Sequence, residues 1–359
     1  MRELLFMKSS LYLLGLRATA GFKSFKNWRS PDDAPCVALM KEAGAIIIAT
    51  TNVPELAMNV ETFNKLHGVT RNPYDINRTC GGTSGGEVAL IASGGSILGL
   101  GNDILGSLRL PAHFAGVFTH MPTRGLVSNN GSFPPGKISC PAELDGCEKM
   151  PFLTVGPISR YAEDLIISMR ILSSQNEVWK TFGQQVDFKK LKIRYLTEIE
   201  TYVTKPVDKE ITDSLKDAVS YFEKRYGIKG EEIKMPSLYH SVKSTVRCGT
   251  GKAAFNITKN WSKEEFDSLL DEDTILLLPT SPFTAPYHYE MVFLFPNACY
   301  TSVLNLVGLP ATHCPMGLSK QGMPYGIQIV GRKNNDNLTI ACAIELEKAF
   351  GGWKSPGKT

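Results

Sequence analysis

Residues 80–124 read CGGTSGGEVALIASGGSILGLGNDILGSLRLPAHFAGVFTHMPTR, and the reading of this stretch decides the fold. It carries three glycine clusters, hydroxyls at Thr83 and Ser107 inside them, and a charged pair, Asp103 and Arg109. Glycine lets the backbone turn sharply and lets N–H groups approach a reacting atom, at a cost of about 0.5–1 kcal/mol per interior position relative to alanine. A run of turns between short buried strands would explain the glycines alone. It would not explain why the hydroxyls sit where the backbone is barest, which is how a nucleophile is surrounded by donors for an oxyanion.

Composition narrows the field around that stretch. The 359 residues are 43% hydrophobic and 21% charged, the balance of an ordinary globular chain long enough for one large core or two domains. A net charge of +4 with Lys and Arg scattered along the chain excludes nucleic acid as a partner. The eight cysteines, at 36, 80, 140, 147, 248, 299, 314 and 342, show no C-x-x-C and read as mostly buried thiols, neither a zinc site nor a disulfide framework. The N-terminal outline Arg2, Lys8, LYLLGL and Ala18-Thr19-Ala20 is too short and too soon charged at Arg17 for an export signal. Met291–Leu309 is long enough to span a bilayer, but Pro296, Asn297, Asn305 and Gly308 make it a buried core helix instead.

Outward from the central stretch, helix and strand patterns alternate, which argues an α/β layered fold. FMKSSLYLLGL resembles a buried strand running into a turn, with Lys8 an isolated amine that composition alone would place at the surface. Asp32–Ala43 reads as a capped amphipathic helix, and AIIIATTN after it as a buried strand. Asn59–Arg78 is turn-rich. Glu87–Ala92 reads as a short helix whose Ser84 and Glu87 have the spacing of a capping box. SNNGSFPPGK, within 125–151, is a surface loop, and Gly156–Ser174 is a helix pattern. Residues 175–250 hold a strand, LKIRYLTE, and a long helix at Asp208–Tyr226, together a peripheral layer. Asn260–Leu278 is a helix running into a buried strand, with Asp271, Glu272 and Asp273 a solvated turn between them. ATHCPMGL and PYGIQIVG flank a turn as paired strands, and Asn337–Phe350 closes the chain as a helix.

Several chemistries can be tested against the motifs. Gly82-Thr83-Ser84-Gly85-Gly86 fits G-x-S-x-G, but the elbow needs a buried strand before it and NPYDINRTC is made of turn formers. That leaves Ser84 with His288 or His313 as a minor alternative, although a histidine like His313 is more often a satisfied core residue. No Gly-Lys-Ser/Thr follows the glycines as in a phosphate-binding loop, G-x-G-x-x-G fails at Ile104, and six scattered histidines give no metal-ligand spacing, so neither a cofactor nor a metal is expected. What remains is a serine, a second hydroxyl and a lysine. Lysine acts as a base only when neutral, a state that burial favours, and Ser–Lys arrangements are an established alternative to the histidine triad.

At this point the chain resembles a family, the amidase signature, along nearly its whole length. The resemblance is carried by EAGAIIIATTNVPELAM, RNPYD, GGTSGGE, GLGNDILGSLRLPAHFAGVF, GPISRYAEDL, LNLVGLPA, PYGIQIVG and FGGW, with the last, followed by SPGK, most similar to type-two fatty-acid amide hydrolases. It implies one amidase-signature domain over 1–359, a central mixed twisted sheet flanked by helices on both faces, with a substrate-channel layer at about 175–260. It implies Ser107 as nucleophile, Thr83 as the bridging hydroxyl after a cis peptide, and Lys8 as the base. It also implies backbone N–H groups of Ile104, Leu105, Gly106 and Ser107 as the oxyanion hole, with Ser84, Asp103 and Arg109 in support. The implied activity is hydrolysis of amides, and of esters, with lipid-like acyl groups. The implied place of action is intracellular or membrane-associated rather than secreted, and the implied partners, beyond a small-molecule substrate, extend to a peripheral membrane contact and a homodimer.

Three positions depart from the family pattern. Thr83 replaces a serine and is stiffer about χ1. Leu105 replaces a glycine, where a positive φ would be strained. Asn102 replaces a threonine. Losing one oxyanion donor costs about 2.7–4 kcal/mol of transition-state stabilisation, so the expectation is a slow or altered amidase, with a catalytically impaired relative acting by binding or regulation as the competing reading. The chain starts almost on Lys8, so the resemblance implies that family segments before it, including any anchoring helix, are absent and that the stretch at 245–260 is shorter than in relatives, as expected of either a fragment or a short isoform. An exposed core edge near residues 1–15 would then favour low stability or oligomerisation.

Overall fold

Branched and leucine-rich runs set far apart in the chain come together as one mixed sheet. In a computed structural model, residues 4–8, 11, 13–132, 152–236, 238, 241 and 261–357 are described, with 4–8, 261 and 262 described in their backbone only. The sheet strands are β1 (Leu4–Lys8), β2 (Ile46–Thr51), β5 (Leu98–Asp103), β6 (Phe118–Met121), β7 (Thr154–Ser159), β8 (Lys192–Tyr195), β9 (Gly230–Glu232), β10 (Thr274–Pro279), β11 (Ala311–Leu318) and β12 (Pro324–Val330). A separate pair, β3 (Phe63–Asn64) and β4 (Gly68–Val69), forms a small hairpin. The ten-stranded sheet runs β2-β1-β5-β7-β6-β11-β12-β10-β8-β9. It is parallel at both ends, where β2, β1 and β5 pair and where β10, β8 and β9 pair, and antiparallel between. The expected mixed sheet is therefore observed.

Alternation along each strand divides the side chains between two layers. On one face Leu98, Leu100, Val155, Ile275, Leu277, Ile327 and Ile329 pack against helices α1 (Pro35–Glu42), α4 (Ala162–Leu172), α5 (Lys209–Tyr226) and α9 (Asp336–Phe350). On the other, Leu276, Leu278 and Val330 meet α6 (Trp261–Leu269) and α8 (Cys299–Val307), while Ile158 meets α2 (Gly85–Ala92) and α3 (Arg109–Ala115). The second face holds the candidate site.

The helices at 35–42, 85–92, 209–226, 261–269 and 336–350, and the β11–β12 hairpin, lie where periodicity predicts them. Four expectations need correction. AIIIATTN forms β2, but at the edge of the sheet, so Ile46 and Ile48 are 50% and 46% exposed. Gly156–Ser159 ends strand β7 instead of starting a helix, which begins only at Ala162, because Gly156 lets the strand lie against the His120 carbonyl. Met291–Leu309 is broken at Pro296 into a short helix α7 (Met291–Leu294), a 3-10 turn (Phe295–Ala298) and α8. Its first part is surface, with Phe293 84% exposed, and only its last part is core. The capping box does not form: Ser84 caps α2 without a side-chain bond, and Glu87 turns to Thr51.

No helix among the described residues is long and apolar enough to cross a membrane. Cys36, Cys80, Cys299, Cys314 and Cys342 are free and buried, and burial raises each thiol pKa. Cys140, Cys147 and Cys248, the second half of the SNNGSFPPGK loop and the 245–260 stretch lie outside the described residues.

Candidate active site

The glycine stretch folds as strand, turn and helix, and its glycines are where neighbours come closest. In β5 Leu98 and Leu100 face the core while Gly99 and Gly101 face the second layer. A Cβ at Gly101 would meet Ser84 Oγ and Leu108, and one at Gly99 would land on the Glu87 carboxylate. Bare strand positions thus let the 80–87 loop lie directly on the sheet.

The two candidate hydroxyl segments are held together by backbone. The Ser84 N–H donates to the Ser107 carbonyl at 3.2 Å, joining the loop that bears Thr83 to the turn that bears Ser107. Thr62 braces the loop from behind, donating to the Gly81 carbonyl at 2.8 Å and accepting from Gly85 N–H at 3.2 Å. The Gly82–Thr83 peptide is cis, as the resemblance implies. Thr83 and Ser84 are buried, whereas Ser107 is half-buried at the layer's surface.

The turn from Asp103 to Arg109 is shaped by one buried ion pair. Arg109 Nε donates to Asp103 Oδ2 at 3.2 Å, and both side chains are fully buried. Asp103 also accepts from Gly106 N–H at 2.6 Å and Leu108 N–H at 3.1 Å, which curls residues 104–108 around the carboxylate. Burial alone would raise the Asp103 pKa, but the Arg109 charge and the bonds from Arg109, Asn305 and Leu108 outweigh it and hold the carboxyl below its ordinary value. Arg109 is satisfied further by Gln328 Oε1 at 3.0 Å, the Thr301 carbonyl at 2.9 Å and Asn305 Oδ1 at 2.6 Å. Asn305 closes the network by donating to Asp103 Oδ1 at 2.9 Å. Buried charge needs such full satisfaction to be tolerated.

Two expectations about the turn change in this geometry. The Gly106 N–H is committed to Asp103, so it is not among the donors left for an oxyanion; the N–H groups of Ile104, Leu105 and Ser107 bond no group among the described residues. Leu105 is not at positive φ; that conformation falls on Gly106, at +120°, so leucine is accommodated without backbone strain. The Leu105 carbonyl accepts from Thr301 Oγ1 at 2.7 Å, and a Cβ on Gly106 would collide with that threonine. Gly106→Ala is therefore expected to displace the turn, lowering stability by about 1–3 kcal/mol in urea unfolding and reducing activity further.

Among the described residues, no histidine bonds either serine. His288 Nδ1 bonds Glu61 Oε1 at 2.7 Å, and His313 Nδ1 bonds Thr280 Oγ1 at 2.7 Å. Burial lowers the His113 pKa to about 4 and the His313 pKa well below its ordinary value, so both are neutral. His120 joins Thr312 and Asp336 in a triad-like chain, but every member is fully buried and it lies within the core. Ser84 Oγ is fully buried and has no hydrogen-bond partner among the described residues, so the Ser84–histidine alternative is not assembled. No group of His, Cys, Asp and Glu suited to a metal occurs among the described residues.

Lys8 ends β1, opposite Thr51 of β2, and its side chain lies outside the described residues. Sequence reading missed Thr301, Asn305, Gln328 and Thr51 as site residues. Asn305 and Gln328 lie within LNLVGLPA and PYGIQIVG, so the motifs pointed to them without assigning a role.

A family model described as Amidase matches residues 4–260 and 252–340. The chain belongs to the amidase family. Fatty-acid amide hydrolase 2-A of Danio rerio is 34% identical to this amidase, over 98% of this chain and 75% of the relative. Fatty-acid amide hydrolase 2 of Homo sapiens is 30% identical over 98% and 76%. The crystal structure of a glutamyl-tRNA(Gln) amidotransferase subunit from Thermotoga maritima superposes with a TM-score of 0.82 at 25% identity, covering 99% of this chain and 86% of that one. The amidase-signature fold and an amide-hydrolysing activity follow for this chain.

Proposed function

We propose that this amidase cleaves fatty-acyl or similarly lipid-like amides through an acyl-enzyme on Ser107, with Thr83 relaying protons between Ser107 and Lys8. The observation that carries this reading is the Ser84 N–H to Ser107 carbonyl bond, which fixes the Thr83 loop beside the Ser107 turn. Similarity to fatty-acid amide hydrolase 2 supports the lipid preference.

In the proposed cycle the neutral Lys8 amine takes the Thr83 proton as Thr83 takes that of Ser107. Ser107 Oγ forms a bond to the amide carbon, and the carbonyl electrons move to oxygen. Ile104, Leu105 and Ser107 supply N–H donors for that oxyanion. The relay then returns the proton to the leaving nitrogen as the C–N bond breaks, and the same relay activates water to release the carboxylic acid.

A fluorophosphonate probe tests the reading without a known substrate. Phosphonylation mapped to Ser107, absent in Ser107→Ala and slowed in Thr83→Val, is the expected result. Labelling of Ser84 would revive the elbow alternative. A folded chain that takes no label would favour an impaired relative that binds rather than hydrolyses.

A further inference from the structure

A fully buried carboxylate on α2 has no part in the proposed cycle. Glu87 lies in the first turn of that helix, and its place in the expected capping box is vacant because it turns away from Ser84. On one side Thr51 Oγ1 donates to Glu87 Oε2 at 2.6 Å. On the other, the carboxylate covers Gly99 so closely that no Cβ fits there. Thr51 belongs to β2 and Gly99 to β5, and β1 runs between those two strands. The carboxylate therefore lies across β1.

The register says where along β1. Thr51 is the Cα partner of Lys8, and Gly99 is the Cα partner of Phe6. Positions 6 and 8 share one face of a strand, and paired residues of neighbouring strands share it too. Lys8 thus occupies the register position beside the two groups that Glu87 touches. Glycine at 99 leaves that space to the acid.

We propose that Glu87 is a positioning residue for Lys8, the charge placed beside its register position, and that it sets the pH at which Lys8 becomes a base. This rests on the reading of Lys8 as the catalytic base. A neighbouring carboxylate favours the ammonium form, so it trades orientation of the amine against a more alkaline onset of activity. Among the described residues, other ionisable groups on elements packed against α2 are otherwise engaged. Asp103 and Arg109 neutralise each other, and His113 bonds the Phe283 carbonyl and the Gly326 N–H. Arg160 donates to the Ile91 and Ser96 carbonyls at the far end of the helix, Glu61 of the adjoining loop bonds His288, and the Cys80 thiol is uncharged through burial.

The test is the dependence of kcat/KM on pH for amide hydrolysis by the native chain, Glu87→Gln and Lys8→Met. Glu87→Gln keeps the shape and an acceptor for Thr51 but removes the charge. Its acid limb is expected to move to lower pH by at least about one unit, with a lower plateau. An unmoved limb in folded Glu87→Gln overturns the proposal, because a merely structural role would lower the plateau alone. If Glu87→Gln does not fold, glutamate side-chain carboxylates are followed by carbon-13 NMR in the native chain and in Lys8→Met. A buried glutamate signal that shifts on Lys8→Met supports the proposal, and none shifting overturns it. Retained activity in Lys8→Met would instead remove the reading of Lys8 as base, a separate failure.

Discussion

Ser107→Ala is expected to lower kcat for amide hydrolysis by at least about 10,000-fold while leaving the fold intact, because groups acting as one catalytic unit fail together when the nucleophile goes. Ser107 is half-buried in a turn whose shape is set by Asp103, Gly106 and Leu108, none of which bonds the Ser107 hydroxyl. Removing one oxygen there leaves no buried polar group orphaned, so urea unfolding should be within about 0.5 kcal/mol of the native chain. The split between lost rate and kept stability is the signature to read. A comparable loss of stability would mean that Ser107 is structural.

Arg109→Met is expected to do the reverse first and the same in the end. The substitution leaves Asp103 fully buried without its counter-charge, and strips partners from Gln328 and Asn305. Breaking a buried pair from one side costs about 3–5 kcal/mol, a large share of the 5–15 kcal/mol that holds a typical domain folded. Unfolding followed by circular dichroism in urea should show that loss, with activity falling because the 104–108 turn loses its template. Pairing Arg109→Met with Asp103→Asn removes the orphaned charge and should recover part of the stability, though not the turn. A loss below about 1 kcal/mol in the single variant would show that the ion pair does not organise the site.

How much of this was legible in the residues depends on the range of the interaction. Local patterns worked: α5 and α9 lie where apolar spacing places them, and β11 and β12 flank their turn. The resemblance named Thr83 and Ser107, and the backbone bond between their segments joins two ends of one glycine-rich stretch. What failed was set by tertiary contact. β2 looks buried by composition, but its place at the sheet edge is decided by which strands pair, and no local pattern records that. Gly99 and Gly101 stood out in the sequence only as glycines of a cluster, because their reason, the approach of Glu87 and Ser84, comes from another element. Ser84 and Glu87 had the spacing of a capping box, yet a hydroxyl from β2 drew the acid away. Gln328 reaches Arg109 from 219 residues along the chain, a distance over which a motif marks a residue without giving its partner.

The most direct measurement is to trap the intermediate. The chain is quenched in acid during turnover of a fatty-acyl anilide, digested, and mapped by mass spectrometry. An acyl group on Ser107, accumulating in the native chain and absent from Ser107→Ala, is the predicted result. An acyl group on Thr83 or Ser84, or turnover with no acylated peptide, would contradict it.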